Sequence, residues 1–233
     1  MQRFSVDPKM KRAIVLLSGG LDSATCLLIA KKEADEVFAL SFDYSQRHRV
    51  ELERARSLAA TYGCAAHRVV KLDIPAPESS ALTDPSREIP RHALHAEAIP
   101  VTYVPARNTL FLSHAVAWGE AVGAGDVYIG ANALDYSGYP DCRPEFLESF
   151  ERTANLATKA GVEGTLAFRI HAPLLSMTKA EIVSKAASLG LDFARTSSCY
   201  DPTPDGRPCR SCDSCLLREK GFREAGIRDP LSG

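Results

Sequence analysis

The sequence predicts an α/β protein: a parallel sheet flanked by helices, with a small C-terminal metal-binding appendage. Three observations carry this. Short β-branched runs alternate with longer stretches of helical apolar period, which implies βαβ units and right-handed crossovers. A glycine turn, Ser18-Gly19-Gly20-Leu21-Asp22-Ser23, joins the first strand to the first helix. Four of the seven cysteines crowd into the 17 residues from Cys199 to Cys215, where the texture changes to Cys, Pro, Asp and Arg. We place the main domain at 1–195 and the appendage at 196–233.

The elements follow in order. Ala13–Leu17 is a continuous apolar run, as expected of a strand buried on both faces. A helix is expected from about Ser23 to Ala34, and a second buried strand over Val37–Phe42. Leu52, Ala55, Ala59 and Tyr62 recur at helical spacing. Arg68–Leu72 is a third strand. Phe111, Ala115, Trp118 and Val122 form another helix face. Val127–Gly130 and Leu166–Ile170 read as strands. Pro144 suits the first turn of a helix. Ile182, Ala186 and Leu189 mark a late helix ending at Gly190. The Pro-, Ser-, Ala- and His-rich stretch 75–100 is long for a connection and reads as a surface loop or lid.

Composition narrows the function classes. The 28 Lys and Arg nearly balance 29 Asp and Glu, so the net charge is −1, whereas a duplex-binding domain carries a basic excess. The tail from Cys199 onward holds six acids and six bases, so it offers no surplus for phosphate backbones. No direct nucleic-acid partner is expected. The longest charge-free run, 108–119, is 12 residues, short of the roughly 20 that span a bilayer. Ala13–Leu17 is also too short for a signal-peptide core. A cytoplasmic, reducing location follows as an expectation, and clustered cysteines there read as a metal site before disulfides.

In a parallel sheet, ligands sit beyond the C-terminal strand ends, so Ser18–Ser23 is the first candidate. Two glycines let backbone approach a ligand, the helix start presents unpaired N–H groups, and Ser18 and Ser23 add hydroxyls. Such a nest suits phosphate or pyrophosphate. Asp22 beside an anion implies a bridging Mg²⁺. The string lacks the Gly-Lys-Ser/Thr of a Walker A loop and the GxGxxG of dinucleotide folds. Cys199, Cys209, Cys212 and Cys215 offer four thiolates, which close a structural Zn²⁺ site. The loop Asn132–Pro144 is dense in polar and aromatic groups. Its tyrosines can stack on a planar ring, Asp135 or Asp141 can accept from a guanine-like edge, and Arg143 can face an anion. Cys142 has no local feature that lowers its pKa, so packing or a substrate contact suits it better than nucleophilic attack.

Ser18–Ser23 resembles the PP-loop of the ATP-pyrophosphatase family, whose Rossmann-like domains bind ATP and transfer AMP to a substrate oxygen. Lys179, in Met177-Thr178-Lys179-Ala180-Glu181-Ile182, resembles that family's late lysine, which reaches the ATP phosphates. Asp135–Pro144 resembles the signature of the branch that converts 7-carboxy-7-deazaguanine and ammonia to 7-cyano-7-deazaguanine in queuosine biosynthesis. The strings Asp43–His48, Val104–Asn108, Ser198-Cys199-Tyr200 and Cys215–Arg218 match as well, so the likeness runs from about Ala13 to Phe222. Two positions depart from it: Arg210, where the branch commonly has Gly, and Ser197, where it commonly has Trp.

The resemblance implies ATP, Mg²⁺ and Zn²⁺, a small-molecule substrate and a homodimer. It implies that Leu17, Ser18, Gly19, Gly20, Leu21, Asp22 and Ser23 bind ATP, with Asp22 on Mg²⁺. Arg107, Lys179 and Arg143 would neutralise phosphate charge. Gln46, Arg47, Asp135, Tyr136, Tyr139 and Asp141 would bind the deazapurine. Making a nitrile from an acid removes two oxygens, hence two adenylations through an amide. An enzyme that stops at the amide or acts on a related acid, a tRNA-modifying enzyme, and a non-catalytic zinc and nucleotide module remain alternatives from the residues alone.

Overall fold

Among the described residues of the computed structural model, five parallel strands stand in the order β3-β2-β1-β4-β5: β1 (Arg12–Leu16), β2 (Glu36–Asp43), β3 (Ala66–Lys71), β4 (Asp126–Tyr128) and β5 (Arg169–His171). The structure describes residues 10–47, 49–74, 76–91, 99–134 and 139–232. Leu16 is in register with Leu40 of β2, and Ile14 with Phe38 and with Val127 of β4. β1 therefore has β2 on one side and β4 on the other. That reversal of strand order opens a crevice at its C-terminal end, where the glycine turn lies.

The helices are α1 (Leu21–Glu33), α2 (Val50–Thr61), α3 (Arg107–Val122), α4 (Pro144–Ala157), α5 (Lys159–Val162), α6 (Lys179–Ser188) and α7 (Asp213–Glu224). Side chains alternate across the sheet. Ile14 and Leu16 of β1 join a core with Phe38, Leu112 and Trp118. Ala13 and Val15 join the opposite core with Leu27, Leu58 and Ile182. β1 is buried at every position, which is why it reads as an unbroken apolar run. Its first residue, Arg12, is buried but paired. Nε donates to Glu36 at 2.7 Å and Nη1 to the Val122 carbonyl at 3.0 Å.

Three expectations change. Of the stretch 75–100, residues 76–91 and 99–100 are described, and they are not simply a surface loop. Ala81, Leu82 and Ile89 are buried in the same core as Phe38 and Trp118. The last strand starts at Arg169, three residues later than expected at Leu166. The appendage contains a helix, α7, that its prolines did not suggest. Those prolines precede Cys209, and the helix starts only after Cys212. The appendage also packs into both cores: Cys199, Cys212 and Cys215 into one, Phe222 into the other. No helix of the described residues is long and apolar enough to cross a membrane.

Candidate nucleotide and substrate site

A cavity of about 230 Å³ opens at the C-terminal end of β1, lined by the glycine loop, the end of β2, the first turn of α3, the end of β4, Lys179 and the cysteine segment. Leu17, Ser18, Gly20, Leu21, Asp22 and Ser23 all line it. Gly20 caps α1 without a side-chain hydrogen bond, so the helix start offers its amides to a ligand. Around the loop, the amides of Ser18 and Gly19 donate to Ser23 Oγ at 3.2 and 3.3 Å, and the Gly20 amide to Ser18 Oγ at 3.3 Å. These donors converge on oxygen, the geometry that a phosphate oxygen also satisfies. Gly19 has φ +98°, and a Cβ there would overlap the Glu51 carbonyl oxygen of α2. Its role is the close crossing of α2, and only glycine fits.

Lys179 is buried, and its Nζ donates to both carboxylate oxygens of Asp22, at 3.0 and 2.9 Å. This pairing neutralises an acid that would otherwise oppose an anion at the loop. Lys179 is the first residue of α6, where a cation is disfavoured by the helix dipole. A capping box holds the turn regardless: Thr178 Oγ1 accepts from the Glu181 amide at 3.3 Å, and Glu181 Oε2 accepts from the Thr178 amide at 2.7 Å. The Thr-x-x-Glu spacing was available in the sequence as a helix-start signal.

Arg107 opens α3 and lines the cavity. Its Nη1 donates to the Tyr44 hydroxyl at 3.3 Å, and its buried Nε has no hydrogen-bond partner. Burial works against its charge, but Tyr44, Tyr139 and Asp141 outweigh that and hold its pKa above the usual arginine value. Beside it, Phe42 and Phe111 stack with ring centroids 4.0 Å apart. This aromatic wall suits a planar heterocycle. The sequence placed Phe111 on a core face, because helical period does not separate a core face from a cavity wall.

The other expected contacts divide. Tyr139 lines the cavity and shares a 2.6 Å hydrogen bond with Thr102 Oγ1. Gln46 also lines it, but its amide closes the turn after β2, accepting from the Tyr44 amide at 2.9 Å and donating to the Phe42 carbonyl at 3.0 Å. Asp141 lies behind the wall: its Oδ2 accepts from the Asn108 amide at 3.0 Å. It thus caps α3, whose own N-cap, Ala106 at φ +52°, has no side-chain cap. Arg47 points away, donating to the Arg87 carbonyl at 2.9 Å with Asp201 3.7 Å distant. Arg143 is exposed at the N-cap of α4 and does not line the cavity. Asp135 and Tyr136 lie outside the described residues. Cys142 lines the cavity, takes a 3.3 Å contact from Asn108 Nδ2, and has its pKa pushed up to about 11 by burial and then Asp141.

The cysteine segment forms the far wall through Ser198, Tyr200, Ser214 and Arg218, none of which the residue types alone singled out as cavity residues. Arg218 is buried, bidentate to Asp229 at 2.7 and 2.9 Å, and its Nη1 donates to Thr196 Oγ1 at 2.8 Å. The Ser197 amide donates to the Gly19 carbonyl at 3.0 Å, so the backbone at this departure from the family pattern clamps the loop directly. The four sulfurs of Cys199, Cys209, Cys212 and Cys215 lie within 4.8 Å of one another. Tetrahedral Zn–S bonds of about 2.3 Å place sulfurs about 3.8 Å apart. Backbone amides donate to sulfur, among them Asp201 and Cys209 to Cys199 Sγ at 3.4 and 3.2 Å and Cys212 to Cys209 Sγ at 3.3 Å. Amides aimed at sulfur favour thiolates, so the set fits a closed four-thiolate zinc site.

Residues 12–226 match a family model described as queuosine biosynthesis protein QueC. A 7-cyano-7-deazaguanine synthase of Geotalea daltonii is 59% identical over 221 residues, which cover 95% of this chain and 96% of that protein. A protein of the same name from Geobacter metallireducens is 59% identical over 222 residues, 95% of this chain and 93% of that protein. Another from Syntrophus aciditrophicus is 55% identical over 228 residues, 97% of this chain and 98% of that protein.

Proposed function

The chain belongs to the queuosine biosynthesis protein QueC family, and on that premise we propose that it is an ATP-dependent carbon–nitrogen ligase. It converts 7-carboxy-7-deazaguanine and ammonia to 7-cyano-7-deazaguanine. The observation that carries the ATP site is the Lys179 ammonium held against Asp22 at the glycine loop, with uncapped α1 amides beside it.

The chemistry runs in two rounds. A substrate carboxylate oxygen attacks the α-phosphorus of ATP and pyrophosphate leaves. Ammonia then attacks the activated carbon, loses a proton, and AMP departs to give the amide. A second ATP adenylates the amide oxygen, and loss of AMP with the remaining N–H protons leaves the nitrile. The backbone amides of Ser18, Gly19 and Gly20, with Ser23 Oγ, hold pyrophosphate. Lys179 exchanges part of its bond to Asp22 for the phosphates, and Arg107 neutralises charge that develops on the α-phosphoryl group. Asp22 would hold Mg²⁺, which would supply shielding of the phosphate charge. The Phe42–Phe111 wall and Tyr139 orient the planar rings, together with Asp135 and Tyr136.

Cys199, Cys209, Cys212 and Cys215 would hold zinc as a structural four-cysteine set, whose part would be to keep the far wall in place. The near-neutral charge supports a free small molecule, rather than tRNA, as substrate. We retain the division at 195/196, the cytoplasm as location and a homodimer as the assembly, which light scattering tests. The decisive experiment incubates zinc-loaded protein with 7-carboxy-7-deazaguanine, ammonium and Mg-ATP and follows products by mass. Nitrile with two AMP per turnover is expected. Accumulation of amide alone identifies an amide-forming enzyme, and no product from the free acid overturns the reading.

A further inference from the structure

Behind the phosphate loop, three strands are tied together by side chains. Ser41 is buried in β2 and lines the cavity, and its Oγ lies 2.5 Å from the carbonyl oxygen of Leu17, the residue after β1. His67 of β3 is half-buried, with Nε2 2.8 Å from the same Oγ. A hydroxyl has one proton. If Ser41 donates it to the Leu17 carbonyl, its oxygen can only accept from the ring, so His67 is held with the proton on Nε2. Burial, and then Arg56, lower the His67 pKa, which favours the neutral ring; its Nε2–H tautomer still donates.

Leu17 is the last residue before the loop. The peptide from Leu17 to Ser18 is planar, so fixing the direction of its C=O fixes the opposite direction of the Ser18 N–H. That N–H is the first donor of the loop, and it points at Ser23 Oγ. We propose that His67 and Ser41 are positioning residues, which aim the first amide of the phosphate loop by holding the Leu17 carbonyl. His67 does not line the cavity, so its variants separate aiming of the loop from direct contact by Ser41. His67 acts only through Ser41, two strands away from the loop it orients. The proposal rests on the ATP-binding reading of the loop.

The test pairs removal with conservative rescue. Ser41→Ala and His67→Leu delete the relay. Ser41→Thr keeps the hydroxyl and His67→Gln keeps a donor near the Nε2 position. Binding of a non-hydrolysable ATP analogue is measured by calorimetry, together with KM for ATP and for the carboxylate substrate. Loss of one orienting hydrogen bond is expected to weaken nucleotide binding about tenfold, with KM for the carboxylate substrate within about twofold. The Thr and Gln variants should recover most of the loss. Equal rises in both KM values, unchanged nucleotide binding in Ser41→Ala and His67→Leu, or a His67→Gln variant that behaves like His67→Leu would overturn the relay alone. A wild-type protein that binds no ATP analogue overturns the ATP reading and the relay with it.

Discussion

Single residues carry the charge logic of the site. Lys179 and Asp22 are 157 positions apart yet share two hydrogen bonds. Lys179→Ala should lower ATP-dependent turnover by about 10²-fold or more, read by AMP release under saturating substrate. Cys142 tells the opposite story. With its pKa pushed up to about 11, it is a thiol near neutrality and a poor nucleophile. Cys142→Ala should keep turnover within about tenfold, whereas removal of a covalent nucleophile costs about 10⁶-fold. Arg210 sits at φ +61°, the region where an L side chain costs roughly 1–2 kcal/mol. Arg210→Gly and Arg210→Ala lose the same side chain, but only glycine relieves the backbone. The glycine variant should therefore unfold with about 1 kcal/mol more stability than the alanine variant in denaturant titrations, and equal stabilities would refute the strain. The departure at this position was legible in the sequence, but its backbone conformation was not.

Elements were legible where their period was strong. β1 and β2 were readable because strands buried on both faces spell unbroken apolar runs. α7 was not, because Cys212 caps it and Cys215 lies in its first turn, so its start reads as part of the cysteine cluster rather than as a helix. Its contact with α6 also depends on a residue that no motif marks. A Cβ on Gly221 would overlap Lys179 Cγ and approach its Cβ to 2.9 Å. In an open helix, Gly→Ala stabilises by about 1 kcal/mol. Here Gly221→Ala should destabilise by about 1–3 kcal/mol through overpacking and should displace Lys179, with turnover falling in the same direction as in Lys179→Ala. A variant that melts higher than wild type and retains full turnover would sink this account of the α6–α7 approach.

At the scale of the whole molecule, the cysteine appendage and the phosphate loop are one structure. The Ser197 amide grips the Gly19 carbonyl, and Ser198, Tyr200, Ser214 and Arg218 wall the cavity. Stripping zinc with a chelator should thus lower Tm and weaken ATP-analogue binding together, with both recovering on reloading. An apo protein that keeps its Tm and its affinity would show the two to be independent. By itself the sequence determined the α/β class, the glycine loop and the cluster of four cysteines, since each is written in near neighbours: a period, a turn chemistry or a ligand spacing. Only the tertiary structure decided that Asp141 caps α3 through Asn108, 33 positions away, that Arg143 stands outside the cavity, and that the appendage is a wall of the site. The physical reason is that a polar side chain takes whichever unsatisfied partner the packing brings to it. A carboxylate in a polar loop reads the same whether its partner is a substrate or a bare helix end, until the helices are in place.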